Sequence, residues 1–93
     1  MGAENPNDAL GAVLPTLIIY WRPGCPHCAH LRWRLRRMKV HTEFRNIWAD
    51  LDAAAFVRSV NSGNETVPTV VMAGTILVNP TMREIRKELN VPL

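Results

Sequence analysis

The spacing of apolar residues changes several times along the chain, and each change marks an element. Thr16-Leu17-Ile18-Ile19-Tyr20-Trp21 is a β-branched, apolar and aromatic run closed by Arg22-Pro23-Gly24, which predicts a buried strand ending in a loop. Pro26 suits the first turn of a helix, and Cys28, Leu31, Leu35 and Met38 follow at spacings of three, four and three, one helical stripe. His41 to Ile47 predicts a second strand, its alternation weakened by Arg45 and Asn46. Asp50 is placed to cap a second helix carrying Leu51, Ala54, Ala55, Val57 and Val60. Asn61-Ser62-Gly63-Asn64 then supplies residues that tolerate a left-handed backbone at its end. Thr69 to Met72 and Thr75 to Val78 are short β-prone runs around Ala73-Gly74, the length of a tight hairpin. After Pro80, Thr81-Met82-Arg83-Glu84 has the form of a capping box, and Met82, Ile85 and Leu89 stripe a last helix expected to stop near Pro92.

This order is strand, helix, strand, helix, two-strand hairpin, helix. Right-handed crossovers through the first two helices make strands one and two parallel and bring the hairpin into the same sheet. The fold class expected is therefore α/β, a four-stranded mixed sheet with three helices in the order βαβαββα, covered on its faces by the helices. A chain of 93 residues with 47% hydrophobic and 20% charged residues suits one such domain, placed at 15–93. Residues 1–14 contain Asn, Pro and Gly and are expected to form a flexible tail. The start of the chain lacks the basic and apolar regions of a secretory signal, and no run approaches the ~18 apolar residues of a membrane span. A soluble, cytoplasmic protein with no membrane partner is expected.

The net charge of +3 comes from eleven basic against eight acidic residues, with the bias concentrated between Arg32 and Lys39. A solvated helix face explains that run most simply; anionic thiol or protein partners come next, and nucleic acid last, because no aromatic binding platform is evident there. Trp33 falls off the apolar stripe and is expected to be exposed, either in isolation or as the mark of a partner surface. Trp21, ending the first strand, is expected near the cysteines.

The candidate chemistry is Cys25-Pro26-His27-Cys28. A zinc site needs more ligands than this pair, and although His27, His30 and His41 could join it, there is no second cysteine pair. A structural disulfide would close a very small loop and constrain the unfolded chain little. Two inert core cysteines are a third reading, poorly suited to Cys25 between Gly24 and Pro26. Redox exchange is the fourth and fits best. Cys25 falls at or beside the helix N-cap, where backbone N–H groups and the helix dipole favour a thiolate, whereas Cys28 lies on the buried stripe. Cys25 is then the attacking thiol and Cys28 the resolving one. Arg22 and His27 are the nearest cationic candidates to assist.

Tyr20-Trp21-Arg22-Pro23-Gly24-Cys25-Pro26-His27-Cys28 resembles the active-site strand and loop of glutaredoxins, within the thioredoxin superfamily, and Thr66-Val67-Pro68 resembles that family's cis-proline loop. The phrases from Ala54 to Asn61 and from Gly63 to Val70 are most similar to actinobacterial mycoredoxins, as is Asn79-Pro80-Thr81. The resemblance implies a thioredoxin (glutaredoxin-like) fold and a thiol-disulfide oxidoreductase that reduces mixed disulfides between proteins and a low-molecular-weight thiol. It implies mycothiol as reducing co-substrate, no tightly bound cofactor, no metal, and a monomer acting on disulfide-containing or S-thiolated proteins. Substrate contacts are expected from Arg22, His27, Thr66, Val67, Pro68, Asn79 and Thr81, with Val67 presenting its backbone, Pro68 cis, and capping as the competing role of Thr81. Ala73-Gly74 stands where glutathione-dependent members have Gly-Gly, and His27 stands where an aromatic residue is more common; Cys-Pro-His-Cys is similar to strongly oxidising periplasmic enzymes. A reductant is still the expectation. The alternatives are a thioredoxin-like general protein disulfide reductase and an iron-sulfur cluster carrier.

Overall fold

Five strand residues, thirteen helical ones and a parallel return strand open the architecture. In the computed structural model, which describes residues 15–90, β1 is Leu17–Trp21, α1 Pro26–Met38, β2 Thr42–Asn46, α2 Leu51–Val60, β3 Thr69–Met72, β4 Thr75–Val78 and α3 Met82–Leu89. The tail expected at 1–14 and the stop expected near Pro92 lie outside the described residues. The sheet order is β2-β1-β3-β4, with β1 and β2 parallel and the other two pairs antiparallel. This is the expected α/β class with the expected connectivity.

Alternation along β1 divides the core into two layers. Leu17 and Ile19 point with Val70 and Met72 toward Leu31 and Leu35 of α1 and Ile85 and Leu89 of α3. Tyr20 turns to the opposite face and meets Ile47 and the α2 residues Ala53, Ala54 and Val57. Helices α1 and α3 therefore cover one face and α2 the other. Leu31 and Leu35 are almost fully buried, and truncating either to Ala should cost about 2–5 kcal/mol. They hold α1, and with it the cysteine pair, against the sheet.

Two details of the elements differ from expectation. Leu51 and Ala55 are exposed, and the buried positions of α2 are Ala53, Ala54 and Val57. Leu51 is the first helical residue after the Asp50 cap, on a side of the opening turn that no sheet residue covers, so its apolar character draws it into no core. The second strand is shorter than His41 to Ile47. Ile47 has left the ladder yet is buried against α2, and its N–H still donates to the Trp21 carbonyl at 2.9 Å.

Candidate active site

The site forms where β1 gives way to α1. Gly24 takes φ +78°, which glycine adopts without the Cβ penalty of other residues; a Cβ there would meet only Arg22 Nη1, at 3.8 Å, so the constraint is conformational. The chain next places Cys25 at the N-cap of α1 in an extended conformation, followed by Pro26 at the start of the helix. The Cys28 backbone N–H donates to Cys25 Sγ at 3.2 Å, so a sulfur fills the place usually held by a capping oxygen. Cys25 is half-buried and Cys28 buried, their Cα atoms are 5.2 Å apart, and they form a disulfide. Two inert core thiols do not fit this geometry, because the sulfurs are joined to one another.

The remaining sequence-picked residues separate into two flanks. On the β3 side, Val67-Pro68 is a cis peptide bond. Its loop is held by Thr69, whose buried hydroxyl donates to the Thr66 carbonyl at 2.8 Å and receives the Asn61 amide at 3.4 Å. The Pro68 carbonyl accepts from the Asn79 backbone N–H at 2.8 Å, which places Asn79 beside the loop. Thr81 caps α3: its hydroxyl accepts from the Glu84 N–H at 3.1 Å and its own N–H donates to the Glu84 carboxylate at 2.7 Å. His27 donates from Nε2 to the Pro80 carbonyl at 3.0 Å. The structure thus gathers Thr66, Val67, Pro68, Asn79, Thr81 and His27 into one connected flank.

Arg22 stands apart from that group. Its guanidinium donates to the Pro23 carbonyl at 3.1 Å and lies 5.4 Å from the Trp48 ring centre. It contributes to an open groove of about 190 Å³ on the β2 side, where Trp21, Cys25, Arg32, Trp33 and Arg36 also line the wall. The sequence pattern read the run holding Arg32 and Arg36 first as a solvated helix face and assigned no role to Pro80. Spacing does put Arg32 and Arg36 one turn apart on a helix face, but the strand residues that complete the groove are distant in sequence.

Comparison with known proteins agrees with this geometry. Residues 17–77 match the Glutaredoxin family model, a span that includes both cysteines and the cis-proline loop. The chain belongs to the glutaredoxin family. A Mycobacterium tuberculosis (strain H37Rv) protein bearing a glutaredoxin name, Rv3198A, is 37% identical over 78 residues, covering 83% of this chain and 93% of the relative. At the level of fold, a glutaredoxin from Archaeoglobus fulgidus superposes with a TM-score of 0.64 at 22% identity, over 94% of this chain and 96% of that one. A glutaredoxin from Brucella melitensis gives 0.63 at 23%, over 82% and 83%. The thioredoxin-like protein BC3987 gives 0.69 at 22%, over 78% and 97%. This glutaredoxin is a thiol-disulfide oxidoreductase, of a family that acts on thiols and disulfide-containing proteins. No helix among its described residues is long and apolar enough to cross a membrane.

Proposed function

We propose that this glutaredoxin reduces mixed disulfides between proteins and a low-molecular-weight thiol, with mycothiol as the reducing co-substrate and Cys25 as nucleophile. The observation that carries the reading is the inequality of the two sulfurs: Cys25 occupies the N-cap and accepts the Cys28 N–H, while Cys28 is 4% exposed on the core side of α1. A reduced Cys25 at that place is favoured as the thiolate by the helix N-terminus, and only the thiolate attacks. The choice of mycothiol is supported by the phrase-level likeness to mycoredoxins and by a relative in Mycobacterium tuberculosis.

The cycle begins with the Cys25 thiolate attacking the small-thiol sulfur of the mixed disulfide. The protein thiol leaves as thiolate and takes up a proton, and the small thiol remains joined to Cys25. A second small thiol then attacks that adduct, forming the symmetrical disulfide and freeing Cys25. Alternatively Cys28 attacks the Cys25 sulfur, expelling the small thiol and forming the disulfide seen here. The cis-proline flank of Thr66, Val67 and Pro68 receives the backbone of the thiol substrate, with Asn79 and Thr81 at the N-terminus of α3 contacting its polar groups. Arg22 and His27 complete the shell of contacts.

The test is turnover of a mixed disulfide between mycothiol and a model thiol, with mycothiol, glutathione or a thioredoxin-coupled system as donor. A strong preference for mycothiol is expected. Activity only with the thioredoxin system would make the protein a general disulfide reductase. Exchange with none of the donors would sink the reading and leave the cluster-carrier alternative.

A further inference from the structure

Beyond Arg22 and the cysteines, the flank opposite the cis-proline loop carries a chemistry that the thiol-exchange cycle does not use. Strand β1 lies between β2 and β3, so the groove under Phe44 of β2 and the loop leading into β3 approach Cys25 from opposite sides. Three arginines, Arg22, Arg32 and Arg36, line the groove, and among the described residues no carboxylate does. Glu43, next to Phe44, is engaged by Arg45, and Asp50 caps α2. Among the described residues, none of the three arginines has an ion-pair partner.

The groove is also held in shape. The Arg32 guanidinium carbon lies 5.3 Å from the Trp21 ring centre and 4.5 Å from that of Phe44, so the cation is clasped by two aromatic rings. Trp33 is 54% exposed and carries Arg37 at 5.0 Å. Arg32 and Arg36 are one turn apart, an arrangement of like charges that opposes helix formation unless an anion answers it. From Cys25 to Arg36 the helix rises roughly 16 Å, the length of about five residues of extended chain. That span suits a peptide.

We propose that this groove docks an acidic, extended polypeptide segment that flanks the disulfide-bearing cysteine of a protein target. The carboxylates meet Arg32 and Arg36 while the target sulfur sits at Cys25, and aromatic or aliphatic side chains lie on Trp33. The chemistry at Cys25 rests on the function proposed above, but the docking does not. A nucleic acid could use the same cations and rings; the acidic peptide is favoured because the groove ends at the cysteine pair.

Two peptides with one central cysteine in mixed disulfide with mycothiol provide the test, one flanked by Asp and Glu and the other by Lys. The acidic peptide should show a KM about tenfold lower at low ionic strength, and the gap should close as salt screens exposed charges. Arg32→Gln with Arg36→Gln should raise the acidic KM by about fivefold to tenfold, with kcat and turnover of a small non-peptide mixed disulfide unchanged. Arg36→Glu, at an exposed position, should shift preference toward the Lys peptide and guards against a folding defect in the double variant. Equal KM values for the two peptides in the wild type, or an equal loss on every substrate in the variants, would overturn the proposal. Affinities of Cys→Ser forms of both peptides for the oxidised protein, read by calorimetry, separate docking from chemistry. Acid-selective binding without turnover would defeat the proposed reduction of mycothiol mixed disulfides and keep the groove; turnover without acid-selective binding would do the reverse. Tighter binding of a single-stranded oligonucleotide than of the acidic peptide would also overturn it.

Discussion

The imidazole of His27 donates through Nε2 to the carbonyl of Pro80, 53 residues away, and so ties the redox turn of α1 to the entrance of α3. A carbonyl oxygen only accepts, which fixes the proton on Nε2 and leaves Nδ1 for solvent or substrate. Pro80 is buried, so removing the donor leaves its carbonyl short of a partner. His27→Ala should lower unfolding free energy by about 1–3 kcal/mol in urea titration, and His27→Gln, whose amide can donate, should recover part of it. A stability unchanged in His27→Ala would show that the bond contributes nothing net.

The roles of the cysteines predict an asymmetric pair of variants. Cys25→Ser should reduce exchange to the uncatalysed background, because a serine hydroxyl at the N-cap preserves the helix but cannot attack a disulfide. Cys28→Ser should stay within about tenfold of the wild type on mixed disulfides with a small thiol, whose second molecule resolves the adduct from solution. On a protein disulfide the same variant should stall as a covalent adduct, visible on a non-reducing gel. Full activity in Cys25→Ser would defeat the mechanism.

Much of this site could be read along the chain because its parts are local. Gly24, Cys25, Pro26 and Cys28 are consecutive signals of a turn, a cap and a helical stripe, and the Thr81 to Glu84 capping box appears as its four-residue pattern implied. What escaped was non-local. The spacing of Arg32 and Arg36 looked like an ordinary solvated face, since only the folded sheet brings Trp21 and Phe44, from two different strands, beneath Arg32. The His27 bond to Pro80 was hidden for the same reason. Leu51 shows the converse error: hydrophobicity marked it as core, but its position in the first turn of α2 leaves it exposed.

Thr81 carries two candidate roles, and they separate experimentally. Its hydroxyl is committed to the Glu84 N–H in a complete capping box. Thr81→Ala should cost about 1 kcal/mol of stability, whereas Thr81→Ser, which keeps the hydroxyl, should cost little. If the hydroxyl contacts the thiol substrate as well, the KM for mycothiol should rise in the alanine variant and not in the serine one. A loss of stability with KM unchanged would assign Thr81 to capping alone.

The β3–β4 hairpin offers a stabilising change away from the chemistry. Its two-residue turn has Ala73 at φ +47° and Gly74 at φ +85°, so both central residues are left-handed, the sign pattern of a type I′ turn. Glycine meets this freely, but alanine pays for its Cβ, and asparagine tolerates the region better. Ala73 is exposed, so the exchange disturbs no packing. Ala73→Asn should therefore raise unfolding free energy by about 0.5–1 kcal/mol, seen as a higher urea midpoint at constant slope. Turnover should be unaltered, because Ala73 joins the end of β3 far from the loop that precedes it and holds Pro68. An unchanged or lowered midpoint would mean that the alanine strain is already relieved by the geometry of the turn.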